Sequence, residues 1–399
     1  MSRLLISQFY RIKHRRRYRE IVARKVRRNS KLVKSLTFST SPVYTGKLLL
    51  VPSNIDDITK CTKSGSWKKN NFWIGRPFRW TSTNRPYFYE TRGEKYSIGA
   101  DPFFMTGVQL EKLFDCEVIY DNRSKSSLNI YSGRIIETTS APEFETAIYL
   151  AIAGAESFQH FIQDCMPLIS LLKTFTEIPE EIPIILMQPQ SSFLSIESYL
   201  NRMGINNPIL FLSTSNSFRV KELFYLRFQP FNATYNLPPQ LYQDSYRQFH
   251  SCSNTPNEQT DQVILIDRKE KIRNFGNILP IQEMLQSWCE NNSLSFKVLD
   301  TKDSNLVSIQ RIFSSAKFVF AIHGGANYNM IWAPSDATLI EFIPTDATDS
   351  LFHIVRSYGQ TYLPYALRQN KGDISYEVSS RDLQSILQLL ESRIEHLNT

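Results

Sequence analysis

From about residue 146 onward, short apolar runs alternate with segments of helical spacing. The runs at 182–187 (IPIILM), Ile209–Leu212, 222–227, 263–266 (VILI), 296–299, 318–322 (FVFAI) and Thr338–Ile343 (TLIEFI) are short and mostly rich in β-branched or aromatic residues. That pattern marks strands buried on both faces. Helical periodicity predicts helices over 156–172, 195–203, 281–291 and 306–316. A closing helix, Ser380–Leu397, puts Leu383, Ile386, Leu390 and Ile394 on one face. In the first helix Phe158, Ile162, Cys165, Ile169 and Leu172 share a face, and Pro167 inside it predicts a kink or a break. Strand–helix alternation of this kind implies a parallel α/β sheet. Residues 35–145 read differently. They are rich in β-branched and aromatic residues, with turn signals between candidate strands at 47–51 (KLLLV), 116–120 (CEVIY) and 134–138 (RIIET). The polar stretch 250–261 (HSCSNTPNEQTD) reads as a linker. The expected organisation is an arm at 1–34, an N-terminal α/β domain with a strand-rich extension at 35–249, a C-terminal α/β domain at 262–370, and a closing helix within 371–399.

Charge changes the picture at one end only. Residues 1–34 carry thirteen Lys/Arg against the single acid Glu20, so the arm holds +12 of a chain whose net charge is +8, and the other 365 residues sum to about −4. The body is therefore not basic, and its overall charge is no argument for nucleic-acid binding. Leu5, Phe9 and Ile12 lie at helical spacing ahead of the Arg15–Arg17 and Arg24–Arg28 clusters. Three readings of this arm stand: an amphipathic clamp on an anionic membrane surface, a nucleic-acid or targeting segment, or a solvated tail. The first is preferred and nucleic acid is the lesser alternative. The 42% hydrophobic content over 399 residues suffices for two packed domains. Gly and Pro counts of 14 and 19 exclude collagenous and wholly disordered classes. Five scattered cysteines with no Cys-x-x-Cys suit a reducing compartment and offer no metal-ligand spacing. No run approaches the ~20 apolar residues of a membrane span, and the first residues are too charged for a secretory signal.

The candidate chemistry centres on residues 323–334, HGGANYNMIWAP, between two buried strands. A strand, a small-residue turn and a helix start, expected at Tyr328–Trp332, form an anion-binding device. Gly324 and Gly325 let a ligand approach the backbone, and the first helical N–H groups point at a phosphate. His323 there is a hydrogen-bond donor, an acid on a leaving group, or a core histidine. Glu341, the one charge in the next strand, is placed to accept from ribose hydroxyls. Arg268 and Arg273 follow the strand at 263–266, where arginines can clamp a diphosphate, or are surface arginines of a charged run. Asn277 caps the next helix or bonds to the ligand. His160 and Asp164, four apart, project together from the first helix as a general-base pair or as a structural pair.

Taken in order, these segments resemble glycosyltransferase family 61. The segments are SFQHFIQDCMP, then Arg268, Arg273 and Asn277 after a strand, then HGGANYNMIWAPSDATLIEFIP. The family's C-terminal hallmark resembles H-G-A-x-x-x-N followed by an aromatic, Pro and a downstream Glu. Here His323, Gly324, Asn329, Trp332, Pro334 and Glu341 fill those places. Gly325 stands where Ala is usual, and Ala326 where Gly or another small residue is usual. Leu168 stands where the family often has Arg. The resemblance covers about residues 145–345. It implies a GT-B-like pair of facing Rossmann-type domains, with acceptor binding on the first and nucleotide-sugar binding on the second. It implies inversion at the anomeric carbon, a UDP-type nucleotide-sugar as co-substrate rather than any cofactor, and leaving-group stabilisation by arginines and helix N-termini rather than a metal. The donor residues would be Arg268, Arg273, Asn277, His323, Gly324, Gly325, Ala326, Asn329 and Glu341, with His160 or Asp164 taking the acceptor proton. The expectation is an enzyme of cell-surface or capsular glycan synthesis on the cytoplasmic face of the plasma membrane. The rivals are a fold-sharing binding module without turnover and a protein acting through the basic arm.

Overall fold

The computed structural model describes residues 30–38, 44–54, 86–91, 94–100, 107–119, 141–152, 154–179, 181–190, 195–213, 215–229, 237–251, 261–268, 274–300, 306–344, 350–367 and 375–397. Residues 1–29 of the arm, the strand expected at 134–138, most of the linker (252–260) and Arg273 lie outside this set.

In the C-terminal half the apolar runs become the strands β9 (Gln262–Asp267), β11 (Ser295–Asp300), β12 (Ala316–Ile322), β13 (Thr338–Ile343) and β14 (Thr361–Ala366). They form one all-parallel sheet in the order β11-β9-β12-β13-β14, apart from which the two-residue β10 (Asn274–Phe275) pairs with β15 (Ser375–Tyr376). Alternate residues go to opposite faces, as a strand's period of two requires. Val263, Leu265, Phe318, Phe320 and Phe342 face one cluster, which helices α4 (Ile278–Asn291) and α7 (Ser380–Leu397) cover with Ile281, Leu285, Trp288, Leu383 and Leu390. Ile264, Ile266, Val319, Ala321 and Leu339 face the other, covered by α5 (Leu306–Ser314) and α6 (Ser350–Ser357) through Ile309, Phe313, Leu351 and Val355. Each such fully buried side chain is worth roughly 1.5–3 kcal/mol over exposure. In order of first appearance the strands run 2-1-3-4-5, a doubly wound arrangement whose direction of winding reverses between β9 and β12. The closing helix follows its sequence periodicity.

The N-terminal half departs from a Rossmann-type expectation. It is a mixed six-stranded sheet, β1-β4-β8-β5-β6-β7. Here β1 is Ser30–Thr37, β4 Gly107–Ile119, β5 Glu143–Tyr149, β6 Ile184–Met187, β7 Ile209–Leu212 and β8 Ser217–Gln229. The last four of the sheet order are parallel; the thirteen-residue β4 pairs antiparallel with β8, and β1 pairs antiparallel with β4. Residues 30–34, expected in the arm, are thus part of a strand, and Lys34 pairs with Glu177 at 3.2 Å. A separate hairpin joins β2 (Pro86–Thr91) to β3 (Glu94–Ala100). The run at 47–51 is no strand of this half. Its residues cross to the second sheet, where Leu49 N–H donates to Tyr362 O and Tyr362 N–H to Lys47 O, so 44–54 edges β14.

The two sheets share a continuous apolar cluster. Helix α3 (Pro239–Ser251), which no expectation covered, is the seam. Its Phe249 meets Trp332 edge-on at 4.6 Å, its Tyr246 stacks on Tyr358 at 4.8 Å, and its His250 Nε2–H donates to Ile331 O at 2.8 Å. Trp332 also lies 5.0 Å from Tyr199 of α2 (Ile196–Arg202) and donates its indole N–H to the Tyr199 hydroxyl. Among the described residues, no helix is long and apolar enough to cross a membrane.

Candidate functional site

The helix expected at 156–172 runs over 158–173 and changes its winding three times; together its turns are called α1. An α turn, Phe158–His160, passes into a π turn, Phe161–Cys165, then an α turn, Met166–Ile169, and a 3-10 turn, Ser170–Lys173. The π turn sits just ahead of Pro167, where the missing N–H and the ring's bulk disfavour regular α bonding. The apolar face, with Phe161, Ile162, Cys165 and Ile169, is buried. Gln159, His160, Gln163 and Asp164 are left half-buried on the other face. His160 Nδ1 lies 2.7 Å from Asp164 Oδ2. The hydrogen bond that His160 donates to Asp164 raises the His160 pKa above its ordinary 6.5, assisted by the negative charges of Asp164 and Glu156 and opposed by burial. Before the helix, Gly154 turns with φ +96° against the His160 ring; a methyl group there would lie 3.2 Å from it. Gly154 N–H donates to Glu156 Oε2 at 2.9 Å.

On the other side stands the turn after β12. The helix start expected at Tyr328 begins earlier and is a 3-10 helix, Gly325–Trp332, nearly all of it buried. Arg268 follows β9 and Gly324 follows β12, so both stand at the carboxyl ends of the two strands that flank the reversal of winding. Ligands of open parallel sheets bind there. They touch: a methyl group at Gly324 would lie 1.9 Å from Arg268 Nη1, so glycine lets the guanidinium lie against the turn, and a side chain there would push it aside. At Gly325 the same methyl would meet only Gln159 at 3.8 Å, an ordinary contact, so Ala fits there as well.

The two sides are joined. Gln159 Nε2–H donates to the Tyr328 hydroxyl at 3.3 Å, and Tyr328 O–H donates to Gln163 Oε1 at 2.9 Å. The polar face of α1 therefore faces the glycine turn, with His160 and Asp164 on it. Gln159, Gln163 and Tyr328 were missed by sequence reasoning, although helical spacing puts 159, 160, 163 and 164 on one face.

Three residues expected at the ligand are engaged within the protein. Glu341 does not stand at the rim to meet a ribose. It is fully buried, with its oxygens engaged by His323 Nδ1 at 2.8 Å, Asn327 Nδ2 at 3.2 Å and the Tyr362 hydroxyl. Asn329 turns inward and donates to Ala326 O at 2.9 Å, bracing the 3-10 helix. Asn277 stands at the N-cap of α4, but its side chain does not cap the helix. It pairs with both the C=O and the N–H of Val378, at 2.8 and 3.1 Å, tying the start of α4 to the segment before α7. Ala326 is packed against the core, and His323 is buried. Among the described residues no three His, Cys, Asp or Glu side chains gather as a metal site. The thiols of Cys116 and Cys289 are pushed up to about 12 by burial, and that of Cys165 is raised for the same reason, so none is a ready nucleophile.

An arginine and a glycine turn thus stand at the winding reversal of a doubly wound sheet, faced by a histidine–carboxylate pair, an arrangement whose groups can attract an anion and take up a proton. The pattern of the family described as Glycosyltransferase 61 matches residues 158–340. Through that region this chain is similar to glycosyltransferase family 61. The match begins at the first residue of α1 and ends one residue before Glu341, so it takes in both sides of the site. No curated protein matches the sequence. A solved structure, the metal-soaked Flv1 flavodiiron core from Synechocystis sp. PCC6803, aligns over 72% of this chain and 91% of that one, at 10% identity and a TM-score of 0.25, which carries no argument.

Proposed function

We propose that the chain is an inverting, nucleotide-sugar-dependent glycosyltransferase. The observation that carries this reading is that the His160–Asp164 pair and the Arg268–Gly324 contact stand on facing sides of one site, joined through Gln159, Tyr328 and Gln163. The donor diphosphate lies on the glycine turn, held by Arg268, Arg273 and the first N–H groups of the 3-10 helix. An acceptor hydroxyl oxygen attacks the anomeric carbon from the face opposite the leaving group. Its proton passes to His160 Nε2, the new C–O bond forms as the bond to the diphosphate breaks, and the bonding pair leaves on the nucleotide. Asp164, on Nδ1, orients the ring and favours the imidazolium that forms. Arg268 acts where charge develops, on the leaving oxygen.

We propose likewise a UDP-linked donor, a cell-surface or capsular glycan as acceptor, two facing units in the manner of GT-B enzymes, and attachment to the inner face of the plasma membrane through the basic arm. The test is a thermal-shift screen against UDP-, GDP- and CMP-sugars, followed by a transfer assay with the donor that binds. A donor at 100-fold its Kd stabilises the fold by about 2.7 kcal/mol. Absence of stabilisation by every nucleotide-sugar, at millimolar concentration, contradicts the reading.

A further inference from the structure

Glu341 is a carboxylate with no exposed surface, in the middle of a strand. Such a group is tolerated only when donors surround it. Three side chains do so, from three neighbouring segments: Tyr362 on β14, His323 after β12, and Asn327 in the 3-10 helix. The strand register explains their meeting. Tyr362 pairs with Leu339, and Glu341 is two residues further along, on the same sheet face. Ala321 pairs with Glu341, and His323 is two residues beyond Ala321, again on that face. Tyr362 is itself fixed from behind, because residues 47 and 49 bracket its backbone.

The donors can be sorted by chemistry. The Asn327 amide nitrogen can only donate, and the Tyr362 hydroxyl reaches the other carboxylate oxygen. An ionised carboxylate only accepts, so the imidazole atom facing it, Nδ1, must carry a proton whatever the charge on the ring. We propose that Glu341 and Tyr362 are positioning residues for His323: together they fix its proton on Nδ1 and turn Nε2, as its one remaining polar atom, toward the ligand at the glycine turn. What Nε2 meets rests on the functional reading above; the fixed tautomer does not.

The test uses the full chain and the variants Glu341→Gln and Tyr362→Phe. Histidine nitrogen NMR, with His323→Asn to assign the signal, reads the tautomer directly and needs no activity. The expected result is an Nδ1-protonated His323 whose signal shifts in both variants. Nucleotide-sugar turnover is then compared in a double-mutant cycle. Glu341→Gln is expected to lower kcat/KM on the order of 10-fold or more, and to cause no further loss when His323→Ala is already present. Tyr362→Phe, which removes one oxygen from a retained ring, should do the same more weakly and keeps the test open if Glu341→Gln does not fold. An Nε2-protonated His323 in the unaltered protein, or losses that multiply across the cycle, overturns the proposal. If no turnover exists at all, the functional reading fails while the tautomer still decides this one.

Discussion

At the scale of single residues, Gly324 and Gly325 look equivalent in sequence and are not in the fold. A side chain at 324 collides with the Arg268 guanidinium, whereas one at 325 makes an ordinary contact. Gly324→Ala, which displaces the guanidinium, is therefore expected to weaken nucleotide-dependent thermal stabilisation, and Gly325→Ala to retain it, in the same assay. The His160–Asp164 pair makes a prediction about pH. Asp164 raises the His160 pKa, chiefly by its hydrogen bond, and a base works only when deprotonated. Transfer should thus rise with pH along a limb above 6.5, and Asp164→Asn should move that limb to lower pH while slowing the reaction. A profile that does not move separates Asp164 from the base. Glu341 shows what sequence could not tell at this scale. A lone acid in an apolar strand looks like a rim residue, because the three donors that surround it come from positions 14, 18 and 21 residues distant. His323, Gly324 and Arg268 could be placed from sequence because each lies within two residues of the end of an apolar strand.

At the scale of elements, strands of the parallel sheet were readable because burial on both faces leaves unbroken apolar runs. Pro167 signalled a disturbance in α1, although the disturbance is a π turn before it rather than an end. Helix α3 escaped notice because half of its six buried positions, Tyr242, Ser245 and Tyr246, are tyrosine or serine, whose polar atoms weaken the apolar stripe. That seam is acid-sensitive. Burial, with a lesser contribution from Arg202, lowers the His250 pKa below 6.5. A histidine held neutral in the fold contributes its full stability above its unfolded pKa, and loses it as pH falls from about 6.5 through the folded value. His160, raised, works in the opposite sense, losing its contribution as pH rises above 6.5. Denaturant unfolding between pH 7 and 5 should show a fall whose slope from His250 is at most about 1.4 kcal/mol per pH unit. His250→Gln should flatten that slope; an unchanged slope would acquit the seam.

At the scale of the whole molecule, the order of strands is what sequence withheld. Nothing local says that β9 lies beside β12, yet that adjacency brings Arg268 to Gly324. Nor does a local pattern send residues 44–54 from the first half to the edge of the second sheet. The arm is a separate matter. Residues 1–29 hold eleven Lys/Arg and one acid, ahead of β1. Their removal is expected to abolish salt-sensitive sedimentation with anionic liposomes and to leave nucleotide-sugar stabilisation intact. Equal sedimentation of the shortened chain would refute the membrane role. The central claim is that base and leaving-group site are distinct sides of one centre. It is tested most directly by measuring donor binding and acceptor-dependent transfer together in His160→Ala and Arg268→Ala. The account predicts that His160→Ala keeps donor affinity and loses transfer, while Arg268→Ala weakens donor binding and slows turnover on the order of 10²-fold. Full transfer by a well-folded His160→Ala, or unchanged donor binding and turnover in Arg268→Ala, would contradict it.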